Sequence, residues 1–392
     1  MKYVSSVKNY KSETDISDYT SEKAEAVLRY HSSFPQYKET ELVELKCFAE
    51  ENGIKNVYLK DESTRFDLNA FKVLGGSYAI GRLLCKKYGF DKSSFTYDDF
   101  MKPEIKEKLK DETFIAATDG NHGRGVAATA QMLGCNAHIY MVQGTADERL
   151  ANVRKTGAHA EILDMNYDDC VRYSTALAKK NGWTLVQDTA FGDYRTIPSY
   201  IMQGYLTMGL EAYRQLDGVK PTHIFLQAGV GSFAAAITAL FTNLYCENKP
   251  EIIVVESEKA DCIFRTAEAD DNALHCVTGK LDTIMAGLSC GEPSELAWPI
   301  LRDYADAFIS IPDYCAENAI RKLARPCGTD KAVVAGESGA SGFAALLDIL
   351  SDPENKSVKE ELNIGKDSVI LVFSTEGATD RENYDKILNS GV

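Results

Sequence analysis

Position 72 carries a lysine set among apolar and small neighbours, Asn69-Ala70-Phe71-Lys72-Val73-Leu74-Gly75-Gly76-Ser77, with no acidic residue nearer in sequence than Asp67. An ammonium is ordinarily a solvated surface charge. In an apolar setting it holds its proton less tightly, and the neutral amine becomes a nucleophile able to form a Schiff base with a carbonyl group. A second cluster, Ala117-Thr118-Asp119-Gly120-Asn121-His122-Gly123, crowds a carboxylate, an amide and an imidazole into one loop. Its plainer reading is a helix capped by Asp119 beside a packed His122. A third, Gln227-Ala228-Gly229-Val230-Gly231-Ser232-Phe233-Ala234, sets two glycines before a helical stretch. Here the backbone can approach a ligand closely and aim N–H groups and a helix dipole at an anion. The same residues, read as Gly229-x-Gly231-x-x-Ala234 with Glu256 ending the next strand, also fit a dinucleotide fingerprint, and they fit a tightened strand–helix turn equally well.

These clusters need elements to hold them. Apolar runs at Val57–Lys60, Thr113–Ala117, Ala137–Val142, Glu161–Leu163, Thr184–Gln187, His223–Gln227, Glu251–Glu256 and Ser368–Phe373 read as strands. Helical patterns alternate with them at Ser77–Tyr88, Gly123–Leu133, Glu148–Thr156, Tyr167–Asn181, Ser199–Gln215 and Phe233–Tyr245. Such alternation defines an α/β fold with parallel sheets covered by helices on both faces, and it puts ligands at the carboxyl edge of the strands. Before this region, one helix is expected over Ser21–His31 and a second, amphipathic one over Lys38–Gly53, with Leu42, Leu45 and Phe48 on its buried stripe. Lys86–Asp111 is charged and irregular, and reads as a surface insertion.

A chain of 392 residues suits two domains, and 44% hydrophobic residues can furnish their cores. The net charge of −15 argues against nucleic acid or an anionic membrane as a partner. No apolar run approaches the length of a membrane helix and the first fifteen residues carry no signal-peptide pattern, so a cytoplasmic protein with a small-molecule substrate is expected. The 10 cysteines are scattered without a C-x-x-C pair, which supports reduced thiols rather than a zinc ribbon, and no metal ligand can be named. Cys262 and Cys290 flank a stretch, Ala273–Gly287, where a redox-sensitive pair is conceivable. Glu337-Ser338-Gly339-Ala340-Ser341-Gly342 reads either as a second ligand loop or as a helix start.

Taken in order, Phe71-Lys72…Gly75-Gly76, Asp119-Gly120-Asn121-His122-Gly123, Gly229-Val230-Gly231-Ser232 and Ser374-Thr375-Glu376-Gly377 resemble the fold-type-II pyridoxal-phosphate enzymes, the group of tryptophan synthase β-subunit, threonine dehydratase and cysteine synthase. The resemblance runs from about Tyr58 to the C-terminus. Where that group generally has Ser-x-Lys-x-Arg-Gly-Ala and Ser-x-Gly-Asn-His, this chain has Ala70-Phe71-Lys72-Val73-Leu74-Gly75-Gly76 and Thr118-Asp119-Gly120-Asn121-His122. Those departures, with Gln187-Asp188-Thr189-Ala190, are similar to the diaminopropionate ammonia-lyases.

The resemblance implies a fold of two open parallel-sheet domains with pyridoxal 5'-phosphate in the cleft between them, residues 1–80 and 195–392 forming the large cofactor-binding domain and 81–194 the small one. It implies a homodimer. It places the cofactor's imine on Lys72 beside Phe71, its phosphate on Gly229, Val230, Gly231 and Ser232, and its ring hydroxyl on Asn121. Ser374, helped by Thr375, would face the pyridine nitrogen. A hydroxyl there makes a weaker electron sink than a carboxylate would, which suffices for β-elimination. Lys72 would take the α-proton from one face and Asp119 that of the other enantiomer, and Asp188 would bind the second ammonium of diaminopropionate. Alternatives are a serine/threonine dehydratase-type lyase, a nicotinamide oxidoreductase built on the Gly229-x-Gly231 turn, and a non-catalytic binding relative.

Overall fold

A computed structural model describes residues 1–6, 14–118, 120–165, 167–271 and 273–390. Among them run eleven strands: β1 (Lys2–Ser5), β2 (Leu42–Glu44), β3 (Asn56–Asp61), β4 (Thr113–Thr118), β5 (Asn136–Met141), β6 (His159–Ile162), β7 (Thr184–Leu185), β8 (His223–Gln227), β9 (Glu251–Ser257), β10 (Ala307–Ile311) and β11 (Val369–Ser374). Backbone contacts gather the chain into two units, one of Met1–Ser21, Glu39–Thr64 and Met208–Val392, the other of Glu22–Lys38 and Arg65–Thr207. Divisions at residues 80 and 195 would cut through the helix Lys72–Tyr88 and part it from the helix Thr196–Gly204 on which it packs.

The first unit holds a seven-stranded sheet in the order β1-β10-β9-β8-β11-β3-β2. Its five inner strands are parallel, and the edge strands β1 and β2 pair antiparallel with β10 and β3. Every residue of β8, β10 and β11 is buried, as expected of strands covered on both faces. Phe225, Ile253, Ile309 and Ile370 are fully buried within its core, and each such side chain stabilises the fold by about 1.5–3 kcal/mol relative to exposure. Strand β8 has β9 on one side and β11 on the other, so the sequence order reverses between β8 and β11. A crevice at the carboxyl ends of strands opens at such a reversal. The loops that leave β8 and β11 there begin with Ala228-Gly229 and with Thr375.

The second unit repeats the device with a four-stranded parallel sheet, β6-β5-β4-β7, around Ile115, Ala117 and Tyr140. Its reversal lies between β4 and β7, whose outgoing segments carry Gly120-Asn121-His122 and Gln187-Asp188.

Three expected elements differ. Lys38–Gly53 is not one helix: Leu42–Glu44 adds an edge strand to β3, and only Lys46–Glu51 is helical. Ser199–Gln215 is two helices, Thr196–Gly204 and Leu206–Gln215. The charged segment before β4 folds into helices Tyr97–Met101 and Pro103–Leu109 because Phe95, Phe100, Ile105 and Leu109 are buried, Phe95 with its ring 4.8 Å from that of Tyr30.

Candidate active site

Lys72 opens the 17-residue helix Lys72–Tyr88, where the helix dipole disfavours a further positive charge. A counter-charge is at hand. Its Nζ donates to Asp188 Oδ2 at 2.7 Å, the two side chains being 20% and 12% exposed. Nζ also lies 5.6 Å from the centre of the Phe71 ring, which in turn packs 4.8 Å from Tyr205. Burial keeps the Tyr205 phenol well above its usual titration range, so it stays protonated. The helix Asn121–Leu133 presses directly on the lysine's backbone: a Cβ on Gly125 would stand 2.9 Å from Val73 N and Cα and 3.1 Å from Lys72 C.

Asp188 is aimed by the end of β7. Val186 N–H donates to Ile115 O at 2.9 Å, continuing the pairing with β4. The buried Gln187 amide then takes over from the backbone: it accepts from Ala117 N–H at 3.2 Å and donates to Ala117 O at 3.0 Å and to Tyr167 Oη at 2.6 Å. This clamp fixes where the chain turns into Asp188. His122, in the first turn after β4, is fully enclosed; its Nε2 donates to Val186 O at 2.8 Å and its Nδ1 lies 3.7 Å from Asp188 Oδ2. A carbonyl can only accept, so the Nε2 nitrogen carries the hydrogen. Burial alone would raise the Asp188 carboxyl, but the His122 ring and the Lys72 ammonium outweigh it and hold that carboxyl well below the usual carboxylate range. Asn121 begins the same helix as His122. Asp119, the expected second base, lies outside the described residues.

In the first unit, Gly231 adopts φ +96° immediately before the 14-residue helix Ser232–Tyr245. Only glycine takes that angle without strain, and a Cβ would also meet Ile263 Cδ1 at 2.8 Å. The turn therefore presents backbone N–H groups and the Ser232 hydroxyl at a positive helix end, a donor set that fits a phosphate. Ser374 ends β11 and is buried. The neighbouring Thr375 hydroxyl accepts from Gln227 Nε2 at 2.9 Å, and the same amide donates to Phe373 O at 2.9 Å and Gly339 O at 3.1 Å. Gln227 thus ties the ends of β8 and β11 together, as Gln187 ties β7 to β4. Gly339 belongs to the segment read either as a second ligand loop or as a helix start; it leads into the helix Ser341–Ser351 and packs against Glu376 through Ser338 N–H to Glu376 Oε1 at 3.2 Å.

Glu256, the acid of the dinucleotide reading, does not face an open edge. It is buried, accepting from Ile263 N–H at 3.0 Å and Phe264 N–H at 2.6 Å, and so caps the helix Cys262–Ala269. Sequence reasoning bypassed His122, Gln187 and Gln227 as working residues. The one available signal was that two apolar strands, His-Ile-Phe-Leu-Gln and Thr-Leu-Val-Gln, each end in a glutamine.

Two doubly wound sheets, a half-buried lysine with its carboxylate and a phosphate-type turn together describe an enzyme of carbonyl-cofactor chemistry. The chain matches the family model described as "Pyridoxal-phosphate dependent enzyme" over residues 34–374, and it belongs to that family. It is 45% identical over 369 residues to the diaminopropionate ammonia-lyase of Salmonella typhimurium, covering 93% of this chain and 91% of that relative. To the diaminopropionate ammonia-lyase of Escherichia coli K12 it is 44% identical over 375 residues, covering 95% and 93%. A solved structure of the Escherichia coli enzyme, in complex with an aminoacrylate–pyridoxal-phosphate azomethine reaction intermediate, superposes with a TM-score of 0.91 at 41% identity, covering 100% of this chain and 97% of that one. Fold type and cofactor follow as expected from the motifs, and the nicotinamide reading of the glycine turn lapses. No helix among the described residues is long and apolar enough to cross a membrane.

Proposed function

We propose that this chain removes the β-amino group of 2,3-diaminopropionate and, with one water, yields pyruvate and two ammonia. The observation that carries this reading is the enclosed Lys72–Asp188 pair, an amine and a carboxylate held 2.7 Å apart in a pyridoxal-phosphate enzyme whose relatives bear that activity in their names. The cofactor, when bound, supplies an electron sink for the charge left on the substrate's α-carbon. Lys72 would hold its aldehyde carbon, Gly229, Val230, Gly231 and Ser232 its phosphate, Asn121 its ring hydroxyl, Phe71 the flank of its ring, and Ser374 with Thr375 its pyridine nitrogen.

Lys72 Nζ takes the α-proton of one enantiomer, and Asp119 takes that of the other. One amine cannot reach both faces of the same carbon. The Asp188 carboxylate, held ionised beside the His122 ring and the Lys72 ammonium, turns from Lys72 to the substrate's β-ammonium. A β-group held as ammonium departs as neutral ammonia and needs no further acid. His122 Nδ1 lies 3.7 Å from that carboxylate and stays beside it through the exchange of partners. A cytosolic homodimer completes the reading; ten scattered cysteines without a C-x-x-C pair suit a reducing compartment, and the mass in solution tests the dimer.

The test supplies D- and L-2,3-diaminopropionate, serine and threonine separately and measures ammonia and pyruvate. Turnover of both diaminopropionate isomers well above serine and threonine is expected. Turnover of serine or threonine with none of diaminopropionate overturns the assignment. Asp119→Asn should lower D-isomer turnover by on the order of 100-fold or more while sparing most of the L-isomer rate; equal losses contradict the two-base scheme.

A further inference from the structure

Two cysteines that play no part in this chemistry meet although they are remote in sequence. Cys47 lies in the helix Lys46–Glu51, with Glu51 one turn further on, and Cys327 lies in the loop that follows the helix Asp313–Ala324. Cys47 Sγ is 3.9 Å from Glu51 Oε1, and one ligand atom from each of Cys47, Glu51 and Cys327 lies within 4.8 Å of the other two.

The loop is built to bring them together. Asp330 accepts from Cys47 N–H at 2.8 Å and from Phe48 N–H at 3.0 Å, while its own N–H donates to Cys327 O at 3.2 Å. Gly328 adopts φ +52°, and a Cβ there would stand 2.8 Å from Cys47 Sγ, so a side chain at this point would push the thiols apart. The two carboxylate oxygens of Glu51 face different ways: Oε1 looks toward Cys47, and Oε2 receives Lys322 Nζ at 3.3 Å.

We propose that Cys47, Cys327 and Glu51 form a binding site for a thiophilic divalent cation of the zinc class, with water as the fourth ligand. Two sulfurs select against magnesium and calcium, which take oxygen ligands. Spacings of this size surround a single ion at ordinary zinc–sulfur and zinc–oxygen lengths after small side-chain rotations. Two thiolates and one carboxylate carry three negative charges, which a divalent cation and the Lys322 ammonium balance. Lys322 also orients Glu51 by holding the oxygen that the ion does not use. A cysteine binds such an ion as thiolate, so binding releases the thiol protons. The site would pin the helix Lys46–Glu51 to the distant loop.

Cobalt(II) is the probe, added to reduced, chelator-treated holoenzyme. The expected result is one equivalent bound per chain with the visible bands of tetrahedral cobalt and a sulfur-to-cobalt charge-transfer band, both discharged by zinc. Cys47→Ser and Cys327→Ser should each abolish the bands, and Glu51→Gln should weaken binding while the charge-transfer band survives. Replacing the exposed Cys246 and Cys276 by serine should change nothing. Zinc should raise the melting temperature of the unaltered chain and of the Cys246→Ser protein, but not of Cys327→Ser, whose circular dichroism reports whether it is folded. Absence of the bands from the unaltered protein, or their persistence in Cys327→Ser, overturns the proposal. So does recovery of Cys47 and Cys327 as a disulfide whose reduction restores no cobalt binding.

Discussion

Lys60 and Lys72 carry the same side chain, and their surroundings give them different tasks. Lys60 is wholly buried on β3, where Glu211 Oε2 at 2.7 Å, Thr40 O at 2.7 Å and Gln215 Oε1 at 2.8 Å use all three of its hydrogens. Those three contacts tie the ammonium to the fold. Lys72 keeps 20% of its side chain exposed and donates to Asp188, which a ligand with its own ammonium can engage instead. Asp188→Asn is therefore expected to lower turnover by on the order of 100–1,000-fold, and to destabilise the fold by about 3 kcal/mol because Lys72 loses its enclosed partner. Steady-state rates and urea unfolding of the variant check both figures; unchanged turnover would remove Asp188 from the mechanism. At this scale the sequence disclosed Lys72 through its apolar neighbours. It did not disclose the glutamine clamps, because the partners of Gln187 and Gln227 sit on other strands and no spacing along the chain encodes them.

Elements explain why two separated groups of residues are arranged alike. Each sheet reverses its order once, between β8 and β11 or between β4 and β7, and each reversal carries a glutamine clamp and a helix start. The alternation of apolar runs with helices made eight of the eleven strands legible. Leu42–Glu44 escaped because three residues show no period and because Leu42, Leu45 and Phe48 also suit one helical face. Strand β10 escaped because the long irregular stretch before the helix Ala297–Tyr304 breaks the alternation that would have announced it. The helix Asn121–Leu133 packs closely on the start of Lys72–Tyr88. Gly125→Ala would drive a methyl group against Val73 backbone, which cannot rotate away. A loss of about 1–3 kcal/mol in unfolding free energy is expected, together with a lower turnover number, since the Lys72 backbone is what must shift. A variant as stable and as active as the parent would show that this contact does not position the lysine.

Two enclosed carboxyls act on the stability of the whole molecule in opposite senses. Asp188 has its carboxyl lowered from 3.8, so the stability it confers is present above the unfolded value and fades as pH falls toward the folded one. Glu256 is pushed up from 4.5 to about 8, chiefly by burial. Between those values the folded chain holds a proton that the unfolded chain has released, so stability falls as pH rises through that window and levels off above it. The two windows do not overlap. Glu256→Gln should therefore flatten the decline in unfolding free energy between about pH 5 and pH 8, by on the order of a few kcal/mol. Urea unfolding of both proteins across that range decides it, and parallel curves would contradict the assignment. Bound cofactor should stabilise the folded chain by mass action, so these comparisons belong at one fixed cofactor concentration.

Reduction of the cofactor-loaded enzyme with borohydride, followed by proteolysis and peptide mass analysis, tests most directly which amine holds the coenzyme. A phosphopyridoxyl group on the peptide containing Lys72, in near one-to-one yield, is the predicted result. The same group on Lys60 or any other lysine, or no covalent label at all, would contradict the account.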